Sequence, residues 1–159
     1  MNKHLELIEC CDEHLNRDIL KWKEGEPYTP TIYLLTRNSK IVYIGESGWP
    51  LRRFKSHTSK TPYYKDWDKV YFKSFDSYVK GDNLRYIESM VMTYLGELTE
   101  YNKIFRRVEL KDKNPLNSDF LNPYLEKVKE EYEKREQERI QEHNRMYIYE
   151  GYRRTVSLF

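Results

Sequence analysis

The sequence predicts an α+β domain, with a small three-stranded, mainly antiparallel sheet flanked by helices. Three observations carry this. A β-branched and aromatic run at 31–36 is followed, after a short polar turn, by a second at 41–44, which is the pattern of a hairpin. A third such run covers 69–75. On either side, apolar residues recur at helical spacing.

The elements follow in order. Leu5, Ile8, Leu15, Ile19, Leu20 and Trp22 predict an amphipathic helix over 2–22, broken by Gly25, Pro27 and Pro30. Thr31 to Thr36 reads as a strand, Arg37-Asn38-Ser39-Lys40 as a turn, and Ile41 to Ile44 as a second strand closed by Gly45. Ser47-Gly48-Trp49-Pro50 starts a helix that runs to about residue 56 or 57, with Pro50 near its first position. The run 69–75 alternates imperfectly, so both of its faces are expected to be partly covered. Asp82 is expected to cap a helix over 83–97, whose apolar face is Leu84, Ile87, Val91 and Leu95. Asn114, Pro115, Asn117 and Pro123 make 112–123 a loop. A long charged helix then runs from Tyr124 to about Arg145, and is expected to leave the core after Tyr132, where its apolar stripe thins. The 159 residues are expected to form one domain: a helical extension (1–30), a core (31–107), and a loop with the long helix (108–159).

Charge is unevenly spread. The net charge of +2 divides into −3 over 1–30, +6 over 31–107 and −1 over 108–159. A polyanion would therefore meet the middle of the chain. Cys10 and Cys11 are adjacent, which suits neither a metal clip nor a disulfide framework and fits a reducing compartment. No apolar run approaches the roughly 18 residues of a membrane span, and no signal peptide is visible, so a soluble cytoplasmic protein without membrane contact is expected.

Glu88 is the most informative single residue. At helical spacing it lies about 40° from Leu84, in the middle of the apolar face. A carboxylate there neutralises, pairs with a base or binds a metal. Arg53 and His57 share one face of the short helix, where Arg53 can clamp a phosphate and His57 can move a proton. Tyr33 and Tyr43 sit on the two hairpin strands; as catalytic groups they would need a pKa lowered from about 10.

Taken together, Thr31-Ile32-Tyr33, Tyr43-Ile44-Gly45, Arg53, His57, Glu88 and Asn102 resemble the GIY-YIG nuclease family. Arg53 and His57 follow Gly45 by eight and twelve residues, which is the family's spacing. The resemblance covers about 31–107 and departs from the family pattern at Thr31, where the first motif has glycine. It implies a GIY-YIG-like fold and a Mg²⁺- or Mn²⁺-dependent endonuclease hydrolysing DNA phosphodiester bonds. Tyr33 would be, or orient, the general base, and Tyr43 would hydrogen-bond beside it. Arg53 would hold the scissile phosphate, His57 would assist proton transfer, Glu88 would bind the metal and Asn102 would brace the site. With no further domain visible in the sequence, a restriction-type, phage or mobile-element enzyme is expected.

Arg52, Lys55, Lys60, Lys65, Lys69 and Lys73, interleaved with Tyr63, Tyr64 and Trp67, are expected to bind DNA phosphates. A double-strand cut would favour a homodimer. Two other readings are a DNA-binding module of the same fold without the chemistry, and an RNA-directed nuclease. The hairpin supplies an internal test. A regular two-residue loop puts Tyr33 and Tyr43 on opposite faces, so a shared site requires a three-residue loop or a bulge.

Overall fold

A computed structural model describes residues 2–21, 24–59 and 62–157. Trp22 and Lys60 lie outside the described residues. The central hairpin pairs β2 (Thr31–Arg37) with β3 (Lys40–Ser47). Its turn has two residues, Asn38 and Ser39, both left-handed at φ 53° and 63°, the handedness that follows the twist of the strands. Regular pairing from this turn would set Leu35 opposite Val42. Instead the register shifts between Leu35 and Thr36, so Leu35 faces Tyr43 and Val42 is the extra residue of a bulge. The shift returns Tyr43 to the face that carries Tyr33.

The sheet has four strands in the order β1-β4-β2-β3, all antiparallel. β4 is Lys69–Ser74, and the added strand is β1, Glu13–Asn16. This corrects the expected helix over 2–22. The helix α1 is only Lys3–Glu9; the chain then extends as β1 and makes a 3-10 turn at Arg17–Ile19. The spacing of Leu5, Ile8 and Leu15 suits a helix, but β4 offers a row of backbone groups that β1 pairs, from Glu13 with Phe72 to Asn16 with Lys69. Covering that edge outweighs local propensity.

The sheet divides the core. Ile32 and Leu34 of β2 face Leu7 of α1, Leu84, Ile87 and Val91 of α3 (Asp82–Leu95), and Leu121 and Val128 of α4 (Ser118–Ser157). Tyr33 and Leu35 face the other way, onto Phe54 of α2 (Pro50–Ser56), Trp67, Val70 and Phe72. Burial on both sides explains why β2 and β4 lack clean polar alternation.

The helix ends match expectation at α2 and differ from it at α3 and α4. Pro50 is the first residue of α2, and the Glu26 carboxylate accepts from the backbone N–H groups of Leu51 (2.8 Å) and Arg52 (3.2 Å). That satisfies two donors no helical carbonyl can reach. Asp82 is the first residue of α3 rather than its cap; Gly81, at φ 58°, takes that position, and Gly96, at φ 74°, ends the helix. α4 begins at Ser118, where a loop up to Pro123 was expected. Asn117 caps it, its side-chain oxygen accepting from Asp119 N–H at 2.9 Å. Pro123 is tolerated close to this end, with one carbonyl left without a helical donor. The apolar residues Leu116 and Leu121 anchor the start of the helix in the core, which local turn signals do not reveal. From Gln137 to Arg154 every residue of α4 is exposed, as the thinning stripe predicted. No described helix is long and apolar enough to cross a membrane.

Ser39 carries a side chain in a left-handed conformation that glycine adopts without steric cost. Ser39→Gly should raise the unfolding free energy by about 0.5–1 kcal/mol, read by urea denaturation with an unchanged m-value.

Candidate active site

The edge of β3 is where the two layers meet. There α3, from one face of the sheet, approaches the segment after α2, from the other. Between them lies an open cleft of about 540 Å³, lined by Tyr43 and Glu46 of β3, Tyr63 and Lys65, Glu88 of α3, and Arg106. Arg53 and Arg52 line an adjoining groove that shares Tyr63.

His57, one residue past α2, is the hub. It is 1% exposed. Its Nδ1 lies 2.8 Å from the Tyr63 carbonyl oxygen, and its Nε2 lies 2.8 Å from the Tyr33 hydroxyl. A carbonyl can only accept, so Nδ1 carries the proton and Nε2 accepts from Tyr33 O–H. Burial drops the His57 pKa to about 4, with Lys65 and Arg53 adding to the fall against the Tyr63 hydrogen bond. The imidazole is therefore neutral near pH 7, which agrees with the hydrogen-bond directions. The segment after α2 is folded back to make this possible: Lys65 N–H and the Trp67 indole both donate to the His57 carbonyl oxygen.

Tyr33 is also 1% exposed and does not line the cleft. With its hydrogen directed to His57 Nε2, its oxygen presents lone pairs for Tyr43, with which it interacts. The two rings lie 5.9 Å apart, and the Tyr43 and His57 rings 5.2 Å apart. Tyr43 is the member that reaches the cleft. Gly45 makes the close stacking possible: a Cβ there would come within 2.4 Å of the Tyr33 ring and 2.7 Å of the Tyr43 ring. The glycine of the second motif is thus a spatial requirement.

Neither tyrosine has the lowered pKa expected of a catalytic phenol. Burial holds Tyr33 well above its ordinary range. Tyr43 is raised too, by burial and by the Glu88 carboxylate, and the Arg53 charge only partly offsets this. The Arg53 charge alone does not bring either tyrosine towards neutrality, because desolvation outweighs it.

Glu88 lies among the apolar positions of α3, yet its side chain emerges in the cleft. Burial and the charge of Glu46 push its pKa up to about 7, against the pull of Arg106 and Arg85. Among the described residues no group of three or more His, Cys, Asp or Glu comes together. A Mg²⁺ site does not need one: this ion is commonly held by one or two carboxylates, with waters and substrate phosphates completing its shell. The Glu88 and Glu46 carboxylates in one open cleft fit that donor set. Asn102 is not free to serve as a ligand. Its Oδ1 accepts from Ile44 N–H and its Nδ2 donates to Ile44 C=O, both at 2.9 Å. It pairs with the free edge of β3 as another strand would, one residue before Gly45.

The predicted basic residues separate. Lys65 is central, its ammonium 4.5 Å from the centre of the Tyr43 ring, and burial lowers its pKa. Arg52 and Lys55 are exposed on α2. Lys69 and Lys73 belong to the opposite face of the sheet, because Val70 and Phe72 take the face of Tyr33. Lys73 donates to the Leu116 carbonyl oxygen there and lies 3.9 Å from Asp12. Sequence reasoning missed Glu46, Arg85, Lys103 and Arg106, which line the cleft. Glu46 directly follows the Tyr43-Ile44-Gly45 motif, and this adjacency was the available signal. Compared with family models, with curated proteins and with solved structures, the chain matches none.

Two outcomes are expected. Gly45→Ala should cost about 1–3 kcal/mol by forcing two ring systems apart, measured by thermal or denaturant unfolding. The second concerns pH. His57 has its folded pKa lowered, so its contribution is complete above pH 6.5 and is lost as pH falls to about 4. Glu88 has its folded pKa raised, so its contribution is complete below pH 4.5 and is lost as pH rises through about 7. Each effect is worth about 3 kcal/mol, and between pH 4.5 and 6.5 they cancel. Stability of the wild type should therefore stay nearly flat across that window. Glu88→Gln should lose about 3 kcal/mol as pH falls through it and be the more stable protein above pH 7, measured by denaturation at a series of pH values.

Proposed function

We propose that this chain is a divalent-metal-dependent DNA endonuclease of the GIY-YIG type. The observation that carries the reading is convergence. Tyr33, Tyr43, His57 and Glu88 come from two strands and the vicinity of two helices, and they act on one another around a single cleft, with Arg53 in the adjoining groove. Packing alone would not require a phenol, an imidazole and a carboxylate to meet at an opening.

The roles follow from placement. Glu88, with Glu46 beside it, would hold the cation; below pH 7 the proton on Glu88 competes with it. The bound Mg²⁺ or Mn²⁺ would supply a Lewis acid for the phosphate and for the leaving 3′ oxygen. Tyr43 is the phenol that faces the cleft, so it is the group that contacts the attacking water. Tyr33 and His57 stand behind it. Their chain of hydrogen bonds, ending on the Tyr63 carbonyl, fixes the orientation of the Tyr33 hydroxyl and its lone pairs. Lys65 and Arg53 supply positive charge where a phenolate and a pentavalent phosphate would develop. This assigns Tyr33 the orienting part of the role the resemblance implied, and Tyr43 the contact with water. Asn102 keeps β3 in place through Ile44. Arg52, Lys103 and Arg106 extend the positive surface on both sides, which suits a phosphate backbone.

Plasmid DNA incubated with Mg²⁺ or Mn²⁺ should be cut, and EDTA should stop the cutting. Glu88→Ala and Arg53→Ala should each lower the cleavage rate by at least about a hundredfold, while DNA affinity in a gel-shift or anisotropy assay changes only a few fold. Binding without cutting by the wild type would establish a DNA-binding module instead. Cleavage of RNA in place of duplex DNA would reassign the substrate.

A further inference from the structure

One pair of aromatic side chains has no part in the chemistry of the cleft. Tyr28 packs edge to face with Trp49, ring centres 5.3 Å apart and planes at 74°. The pair is built into the fold. Thr29 N–H donates to the Gly48 carbonyl oxygen at 2.7 Å, which ties the segment before β2 to the end of β3. The Tyr28 ring then lies so close to Gly48 that a Cβ there would come within 2.3 Å of it. Yet this packing does not bury the indole, which stays 49% exposed. A tryptophan held for packing alone would hide its large apolar surface.

Charge selects what covers the open part of the indole. Trp49 forms the ridge between two grooves. One is lined by Glu24, Gly25 and Glu26, with Arg52 at its border. The other, of about 320 Å³, is lined by Ser47, Arg52, Arg53, Ser56 and Tyr63 as well as Trp49. Neither the Arg52 nor the Arg53 guanidinium is in an ion pair with the described residues. The first N–H groups of α2 are taken by Glu26, so an anion in the second groove is met by arginine side chains and not by the helix end. A polyanion is repelled on the Glu24 and Glu26 side and attracted on the Arg53 side. A groove that sets an exposed indole beside guanidinium groups fits a nucleotide, with the phosphate on the arginine and the base on the ring.

We propose that this groove is a nucleobase subsite, in which Trp49 stacks one unpaired base of the DNA strand whose phosphate lies on Arg53. The inference rests on the nuclease reading for the position of that phosphate. It adds that the nucleotide beside the cut is unpaired in the complex, because a base stacked inside a duplex presents no face to the indole.

Fluorescence anisotropy of the full chain in EDTA tests it. The probes are a single strand of about ten nucleotides and a strand of equal length whose sugars carry no bases. The wild type should bind the strand with bases more tightly. Trp49→Ala should lose at least about fivefold on that strand and far less on the base-free one. Trp49→Phe keeps a ring and should recover most of the affinity, which separates stacking from any effect on the fold. Equal binding of the two strands by the wild type, an equal loss on both in Trp49→Ala, or a Trp49→Phe variant as weak as Trp49→Ala would each overturn the proposal. A fully paired duplex identifies the source of the base. The same Trp49→Ala loss there means that the base is drawn out of the helix, and its absence that the base arrives unpaired. With no metal present, the result is separate from cleavage. Base-dependent binding by a chain that never cuts would overturn the nuclease reading and leave the subsite standing; cutting without a Trp49-dependent contribution from the bases would do the reverse.

Discussion

The Tyr33 hydroxyl bonded to His57 Nε2 joins the central strand of the sheet to the end of α2 in a space that water does not enter. Everything at the cleft is arranged around that bond. An unpaired phenol or imidazole at this depth would cost several kcal/mol, so each needs the other, and His57 also needs the Tyr63 carbonyl. The second requirement folds the segment after α2 back onto the sheet. That fold in turn brings Lys65 over the Tyr43 ring and Tyr63 to the boundary between cleft and groove.

The hydrogen-bond chain has one permitted direction, because it ends on a backbone carbonyl. Neutral His57 is enforced by geometry and by burial together. At rest the site therefore holds two protonated phenols, a neutral imidazole and a carboxylate poised near neutrality. Only the last of these is poised to change charge near pH 7. That makes Glu88 the residue through which a cation would alter the rest, since its carboxylate is one of the causes that raise Tyr43. Holding a carboxylate among the apolar positions of a helix opposes stability at neutral pH, because burial favours its protonated form.

Much of this was legible in the sequence. The hairpin, the proline-started α2 and the position of Glu88 on its helix all follow from local rules of period and turn chemistry. The bulge was legible in a weaker sense: Tyr33 and Tyr43 could share a face only if the hairpin register shifted. Other features depend on contacts between distant residues. β1 forms because β4 has an edge to cover, and its four residues carry too little pattern to outweigh an apparent helix. α4 starts before Pro123 because Leu116 and Leu121 enter the core. Lys69 and Lys73 looked like part of a basic patch, but strand alternation sends them to the face away from His57. Glu46 was hidden, because a carboxylate gains significance from what surrounds it; Lys65 was expected only as a DNA contact, and its place over the Tyr43 ring came from the fold.

The most direct measurement is the ring nitrogen spectrum of His57 by ¹⁵N NMR as a function of pH. The account predicts a neutral ring at neutral pH, protonated at Nδ1 and bare at Nε2, that takes up a second proton only near pH 4. A ring protonated at Nε2, or one that becomes charged at or above the ordinary histidine pKa of about 6.5, would contradict it. The direction of the Tyr33 hydrogen bond, and the roles assigned to both tyrosines, would then have to be reversed.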